Sequence, residues 1–186
     1  MNEVIQNILN RRSIRIYSEE QIKQEDLDLI LQAGMFAPSA CNFQSWHFTV
    51  IQNKEIIKIL NDKSKNELKK SDNENFKKFS DDEQFNIFYN ASTIIVVSGD
   101  KKSIAPEIDC AAATENIMLA AESIGIGTCW IGLITPLFKS EQSEEILKLL
   151  QIPENYEPYY AITLGYKKGE NPKPQPRRDN VINYIR

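Results

Sequence analysis

A chain of 186 residues with 41% hydrophobic and 26% charged residues has ordinary globular composition, which excludes disordered and fibrous classes. The length fits one domain over 1–186 and suffices to bury a core without disulfide or metal staples. A net charge of −4 offers no general attraction to nucleic acid or anionic membrane, and no apolar run approaches the ~20 residues of a spanning helix, so neither is expected as a partner.

In chain order, Val4, Ile5, Ile8 and Leu9 share one face of a predicted helix over Glu3 to Arg11. Ser18 and Gln21 have capping-box spacing before a helix that carries Leu27, Ile30, Leu31 and Met35 inward and stops at Pro38. Trp46, Phe48 and Val50 alternate with polar residues as in a half-buried strand, and a helix follows from Lys54 to about Lys70. Residues 62–83 hold six lysines and seven acids, which predicts a loose, partly helical segment suited to a lid. Thr93 to Ser98 reads as a buried central strand. Pro106, Glu107 and Asp109 open an alanine-rich, buried central helix that Gly125 to Gly127 closes before a strand through Ile131. A helix over Glu141 to Leu150 and a strand over Glu157 to Tyr166 complete the elements. The tail from Lys167 holds six Lys or Arg against two acids, on a chain that is otherwise acidic.

Cys41, Cys110 and Cys129 are an odd, widely spaced set, read as buried or partly buried free thiols in a reducing compartment. Without a charged and then apolar leader, the expected location is the cytoplasm. His47 is the single histidine and sits in a predicted strand; with no GxSxG and no orienting partner in view, it reads as a satisfied strand residue rather than a catalytic one. One histidine and three scattered cysteines supply no zinc site. Gly125, Gly127 and Gly132 have the wrong spacing for a dinucleotide loop and close a helix instead of opening one. What remains is arginine. Arg11, Arg12 and Arg15 cluster around Ser13, and Arg177 and Arg178 lie in the basic tail. Two such clusters could converge on one dianion, or Arg11 and Arg12 could simply complement a helix dipole.

Arg11-Arg12-Ser13-Ile14-Arg15 resembles the RRSxR opening of the nitroreductase family of flavin mononucleotide enzymes. Pro38 to Trp46 is similar to that family's PSxxNxQPW segment, with Ser45 in place of the usual proline. Gly125 to Gly132 is similar to its GxGxCWIG stretch, and Pro176-Arg177-Arg178 to its basic C-terminal phosphate contact. The four matches occur in the family's order. The resemblance implies an α+β fold, with a central, mainly antiparallel sheet flanked by helices, in an intertwined homodimer with FMN at the subunit interface. It further implies that Arg11, Arg12, Ser13 and Arg15 hold the phosphate, ribityl chain and a pyrimidine edge, with Arg177 or Arg178 completing the phosphate site. Pro38, Ser39, Ala40, Asn42 and Gln44 would reach a flavin bound mainly by the other subunit. Cys129, Trp130, Ile131 and Gly132 would run over the ring, with the amide of Ile131 or Gly132 near N5. An Asn and a Lys used elsewhere in the family have several candidates here, Asn66 and Lys69 among them.

The implied activity is ping-pong transfer from NADH or NADPH to nitroaromatic, quinone or similar acceptors, with no catalytic side chain and no metal. Enone reduction, dehalogenation or flavin fragmentation on the same scaffold, or flavin storage without catalysis, are the alternatives.

Overall fold

Four antiparallel strands form one sheet in the order β1-β2-β4-β3, in a computed structural model that describes residues 2–186. The strands are β1 (Trp46–Ile51), β2 (Thr93–Asp100), β3 (Ile126–Ile131) and β4 (Tyr156–Tyr166). Seven helices accompany them among the described residues: α1 (Glu3–Asn10), α2 (Gln24–Met35), α3 (Lys54–Lys69), α4 (Glu74–Asp81), α5 (Pro106–Ser123), α6 (Thr135–Phe138) and α7 (Ser143–Leu149).

β2 is buried on both faces, which is why it reads as a continuous apolar run, and β4, whose sequence alternates, is nevertheless buried on both faces from Tyr160 to Gly165. On one face Ile95, Val97, Ile162 and Leu164 pack against Leu27 and Ile30 of α2 and Ala113 and Ile117 of α5. Gly34 of α2 permits close contact with α5: a Cβ there would lie 2.7 Å from Ile117. On the other face Ile94, Val96 and Ala161 pack against Leu60 and Leu68 of α3, Leu137 of α6 and Ile146 of α7. Among the described residues no helix is long and apolar enough to cross a membrane.

Several local expectations change. The apolar face of α1 does not enter this core: Val4, Ile5, Ile8 and Leu9 are all exposed, Val4 by 64%. The Ser18–Gln21 capping box does not form, because the Gln21 amide donates to the Thr93 hydroxyl and α2 begins only after Lys23. Met35 turns outward, and Gly34 takes the buried position on α2. The charged stretch 62–83 is the end of α3 followed by a separate α4, which Asn73 caps by accepting from the Asn75 N–H at 2.9 Å. The helix expected over Glu141 to Leu150 is shorter, and α6 precedes it. Cys110 and Cys129 are buried, whereas Cys41 is exposed.

His47 also departs from expectation. Its ring lies 5.2 Å from that of Tyr156, and buried Nδ1 has no hydrogen-bond partner among the described residues. Burial holds its pKa below the usual value. The native state therefore resists protonating His47 while the unfolded chain takes up the proton at about pH 6.5. Stability should fall as pH drops through and below about 6.5, and His47→Gln should flatten that slope. Urea unfolding at pH 7.5, 6.5 and 5.5 measures it; equal slopes in parent and variant would contradict the assignment.

Candidate functional site

Gly127 and Gly165 are direct partners across β3 and β4. A Cβ on Gly127 would fall 2.9 Å from Ile14, and one on Gly165 would fall 2.9 Å from Tyr17. The two glycines thus form a flat floor on which the segment Ser13–Tyr17 lies. The Ile14 N–H donates to the Thr128 carbonyl at 2.8 Å, the Ser18 N–H to Tyr166 at 2.9 Å, and the Lys168 N–H to Ile16 at 3.1 Å. The buried Tyr17 hydroxyl donates to the Ile14 carbonyl at 2.6 Å and lies 2.8 Å from Thr163 Oγ1. Burial raises the pKa of that phenol well above the ordinary range, so it remains a neutral clamp.

The clamp fixes the basic cluster on the outer edge of the sheet, because β3 is an edge strand bridged there by Ser13 at Thr128. Arg11 Nε lies 3.6 Å from Glu115 of α5. Arg12 is turned back: its guanidinium donates to the carbonyls of Leu9 at 2.7 Å and Arg11 at 2.6 Å, serving the C-terminal end of α1. Arg15 is exposed, with its guanidinium 5.7 Å from the ring centre of Tyr89. The Arg15 pKa lies above the ordinary value, with burial opposing the rise and the neighbouring Cys129 and Tyr89 side chains favouring it, so the guanidinium stays charged. The Cys129 thiol is itself pushed up by burial, against the pull of Arg15, Ser13 and Arg11. A buried thiol of raised pKa is a poor nucleophile, and here it serves as packing.

Arg11, Ser13, Arg15 and Cys129 are therefore brought together. Trp130 and Gly132 continue along the same edge, Trp130 with its ring 4.1 Å from Tyr160, while the Ile131 side chain enters the core. Gly132 has nothing within 4 Å of where a Cβ would stand, so its backbone is open to close approach. Two recesses flank this edge. One of about 200 Å³ is lined by Ser13, Arg15 and residues 167–172, and one of about 360 Å³ by Trp130, Gly132, Thr135, Tyr159 and Tyr160, among others.

Other expected residues lie apart within one chain. Pro38 to Gln44 is pinned to the first turns of α5, where the Ala40 N–H and the Ser45 hydroxyl donate to Asp109 at 2.9 and 2.8 Å. Cys41, Asn42 and Gln44 take positive φ there, the Gln44 N–H donating to Ser39 Oγ at 3.0 Å. Ser45, which stands where the resemblance expects proline, thus gains a buried hydrogen bond. Arg177 and Arg178 are in the exposed tail, where the Arg177 guanidinium donates to the Gln175 carbonyl at 3.5 Å. Asn66 and Lys69 lie on the outer surface of α3, lining a different recess with Asp81 and Glu83. Tyr89 does touch Arg15, and the sequence reading passed over it; the only signal was an aromatic residue just before a buried strand.

The chain matches the description of the Nitroreductase family over residues 8–166. A protein of Archaeoglobus fulgidus, named as a candidate NADH dehydrogenase/NAD(P)H nitroreductase, is 39% identical over 176 residues, covering 91% of this chain and 88% of its own. The crystal structure of a nitroreductase with bound FMN from Bacteroides fragilis superposes with a TM-score of 0.92 at 35% identity, each chain covered completely. A second such FMN-bound structure, from Desulfitobacterium hafniense, gives 0.91 at 30% identity, again with full coverage of both chains. A family match over residues 8–166 and superpositions that cover both chains completely agree on one conclusion: the chain belongs to the nitroreductase family.

Proposed function

We propose that this chain is an FMN-dependent oxidoreductase that carries reducing equivalents from NADH or NADPH to electron-poor acceptors such as nitroaromatics and quinones. The observation that carries the reading is the gathering of Arg11, Ser13 and Arg15 around Cys129 at the edge of β3, the strand that leads to the open backbone at Gly132. The donor set suits FMN: guanidinium forks and a hydroxyl for an anionic phosphate and pyrimidine, and exposed backbone for a flat ring. FMN reductases of Bacillus subtilis, about a quarter identical to this chain, support the nicotinamide donor. When bound, FMN supplies reversible two-electron chemistry, which the side chains of this site do not provide.

The protein's own part is positioning and electrostatics. Arg11 and Ser13 would bind the phosphate and ribityl side. Arg15 would place positive charge at the pyrimidine edge, where electron gain increases negative charge. The main-chain amide at Ile131 or Gly132 would donate at the N5 side, since no Cβ obstructs approach at Gly132. Arg12, committed to α1 carbonyls, would support the segment rather than touch the phosphate. No general base is needed, in keeping with a half-buried His47 of lowered pKa on the distant β1.

A single chain leaves this site incomplete, which is the argument for a homodimer. The α1 face is exposed, as are Phe36 by 79%, Ile108 by 72% and Ile185 of the tail by 95%. Apolar surface of this extent marks an interface. We therefore assign Arg177 or Arg178, and the Pro38–Gln44 segment, to a site completed by the second copy.

The purified protein should show the visible spectrum of oxidised flavin. It should also oxidise NADH or NADPH steadily when a nitroaromatic or quinone is added. If donor and acceptor occupy one place in turn, double-reciprocal plots at several fixed donor concentrations will be parallel; intersecting lines would require a ternary complex. Arg15→Ala and Arg177→Ala should each weaken FMN binding by about tenfold or more, the loss of one charge-assisted hydrogen bond. Titration of the apoprotein measures this, and wild-type affinity in both variants would remove the phosphate and pyrimidine assignments. Sedimentation at micromolar concentration should give a dimer, and removal of residues 168–186 should weaken both association and flavin retention. A monomer that holds flavin would overturn the shared site.

A further inference from the structure

Tyr89 is exceptional in its backbone. It takes φ 53 and Asn90 takes φ 56, both in the left-handed region. Asn tolerates that region through local hydrogen bonding, but an aromatic side chain has no such compensation and is strained there. The surrounding loop holds the strained residue in place. The Tyr89 N–H donates to the Asn86 carbonyl at 2.9 Å, Asn86 Oδ1 accepts from the Phe88 N–H at 2.8 Å, and Asn61 Oδ1 accepts from the Ile87 N–H at 3.0 Å. Lys65 Nζ donates to the carbonyls of Asp82 and Phe85 at 2.6 and 3.0 Å. An aromatic series continues the support, with Phe79 stacked on Phe85 at 4.9 Å and Phe85 edge-on to Tyr89 at 5.9 Å.

The product of these constraints is one placement: the Tyr89 ring beside Ile14 and Tyr17, with the Arg15 guanidinium 5.7 Å from its centre. Arg15 otherwise reaches only the carbonyl of Ser13, at 3.4 Å, and pairs with no carboxylate among the described residues. The distinction is chemical. A carboxylate would orient the guanidinium and neutralise it, whereas a ring face orients it and leaves its charge and its donor edge free for an anion.

We propose that Tyr89 is a positioning residue that holds Arg15 against the pyrimidine edge of the flavin and so sets how strongly the site favours the reduced cofactor. This rests on the flavin site proposed above. The test is the two-electron midpoint potential of bound FMN in Tyr89→Asn, Tyr89→Phe, Arg15→Gln and the double variant Tyr89→Asn/Arg15→Gln. Asn accepts the left-handed backbone, so Tyr89→Asn removes the ring without adding strain, while Tyr89→Phe retains the packing and guards against a folding defect. Tyr89→Asn should lower the preference for reduced over oxidised FMN by about three- to tenfold, equivalent to about 15 to 30 mV for a two-electron couple. Tyr89→Phe should recover most of that shift, and Tyr89→Asn should add nothing once Arg15 is Gln. An unchanged potential in Tyr89→Asn with flavin bound would overturn the proposal. So would an equal shift in the Arg15→Gln background, because Tyr89 would then act independently of Arg15. A parent protein that binds no FMN would instead remove the flavin reading itself, and this proposal with it.

Discussion

The contact on which the site depends is the close approach of Ser13–Tyr17 to the paired glycines Gly127 and Gly165. Any side chain at either glycine would lie about 2.9 Å from Ile14 or Tyr17, a distance that well-packed neighbours cannot yield without displacement. Removing two Cβ atoms lets a third segment lie on the β3–β4 pair, and the buried Tyr17 hydroxyl then ties that segment to both Ile14 and Thr163. The position of every basic group in the cluster follows from this seat. The energetic logic is unequal: glycine weakens a strand slightly, while the approach it permits buries Ile14 and Tyr17 almost completely.

Three arginines within five residues meet three different fates, and their surroundings account for the difference. Arg12 spends its donors on the last carbonyls of α1, which that short helix would otherwise leave to water. Arg11 stands at the margin of a contact with Glu115, too long at 3.6 Å to consume its fork. Arg15 faces an aromatic ring and keeps its charge. A run of like charges is thus divided into one structural and two available groups. The near-burial of Cys129 beneath them adds to this, since its raised pKa keeps a compensating anion from forming there at neutral pH.

The apolar surfaces left outside the core have a consistent distribution. Most of them lie on α1, after α2, at the start of α5 and in the tail, outside the two clusters that sandwich the sheet. The elements that bury the sheet are complete within the chain.

Much of the architecture was legible in the amino-acid order. The apolar run in β2, the proline and acids opening α5, and the glycines closing it are local signals, and local chemistry determines them. The RRSxR and GxGxCWIG stretches were legible as well, because a resemblance carries tertiary information that periodicity lacks. Other features could not be read this way. The amphipathic α1 face predicts burial equally well in a core or in an interface, since the hydrophobic effect does not specify which apolar surface it joins. Ser18 and Gln21 had capping-box spacing, yet a distant Thr93 hydroxyl took the Gln21 amide. Arg12 and Arg15 are indistinguishable as letters; only the end of α1 and the ring of Tyr89, 74 positions along the chain from Arg15, separate their roles. The sequence by itself determined which segments become strands and helices and which residues carry charge. The tertiary structure alone decided which charges remain free, because that depends on partners brought together across long sequence separations.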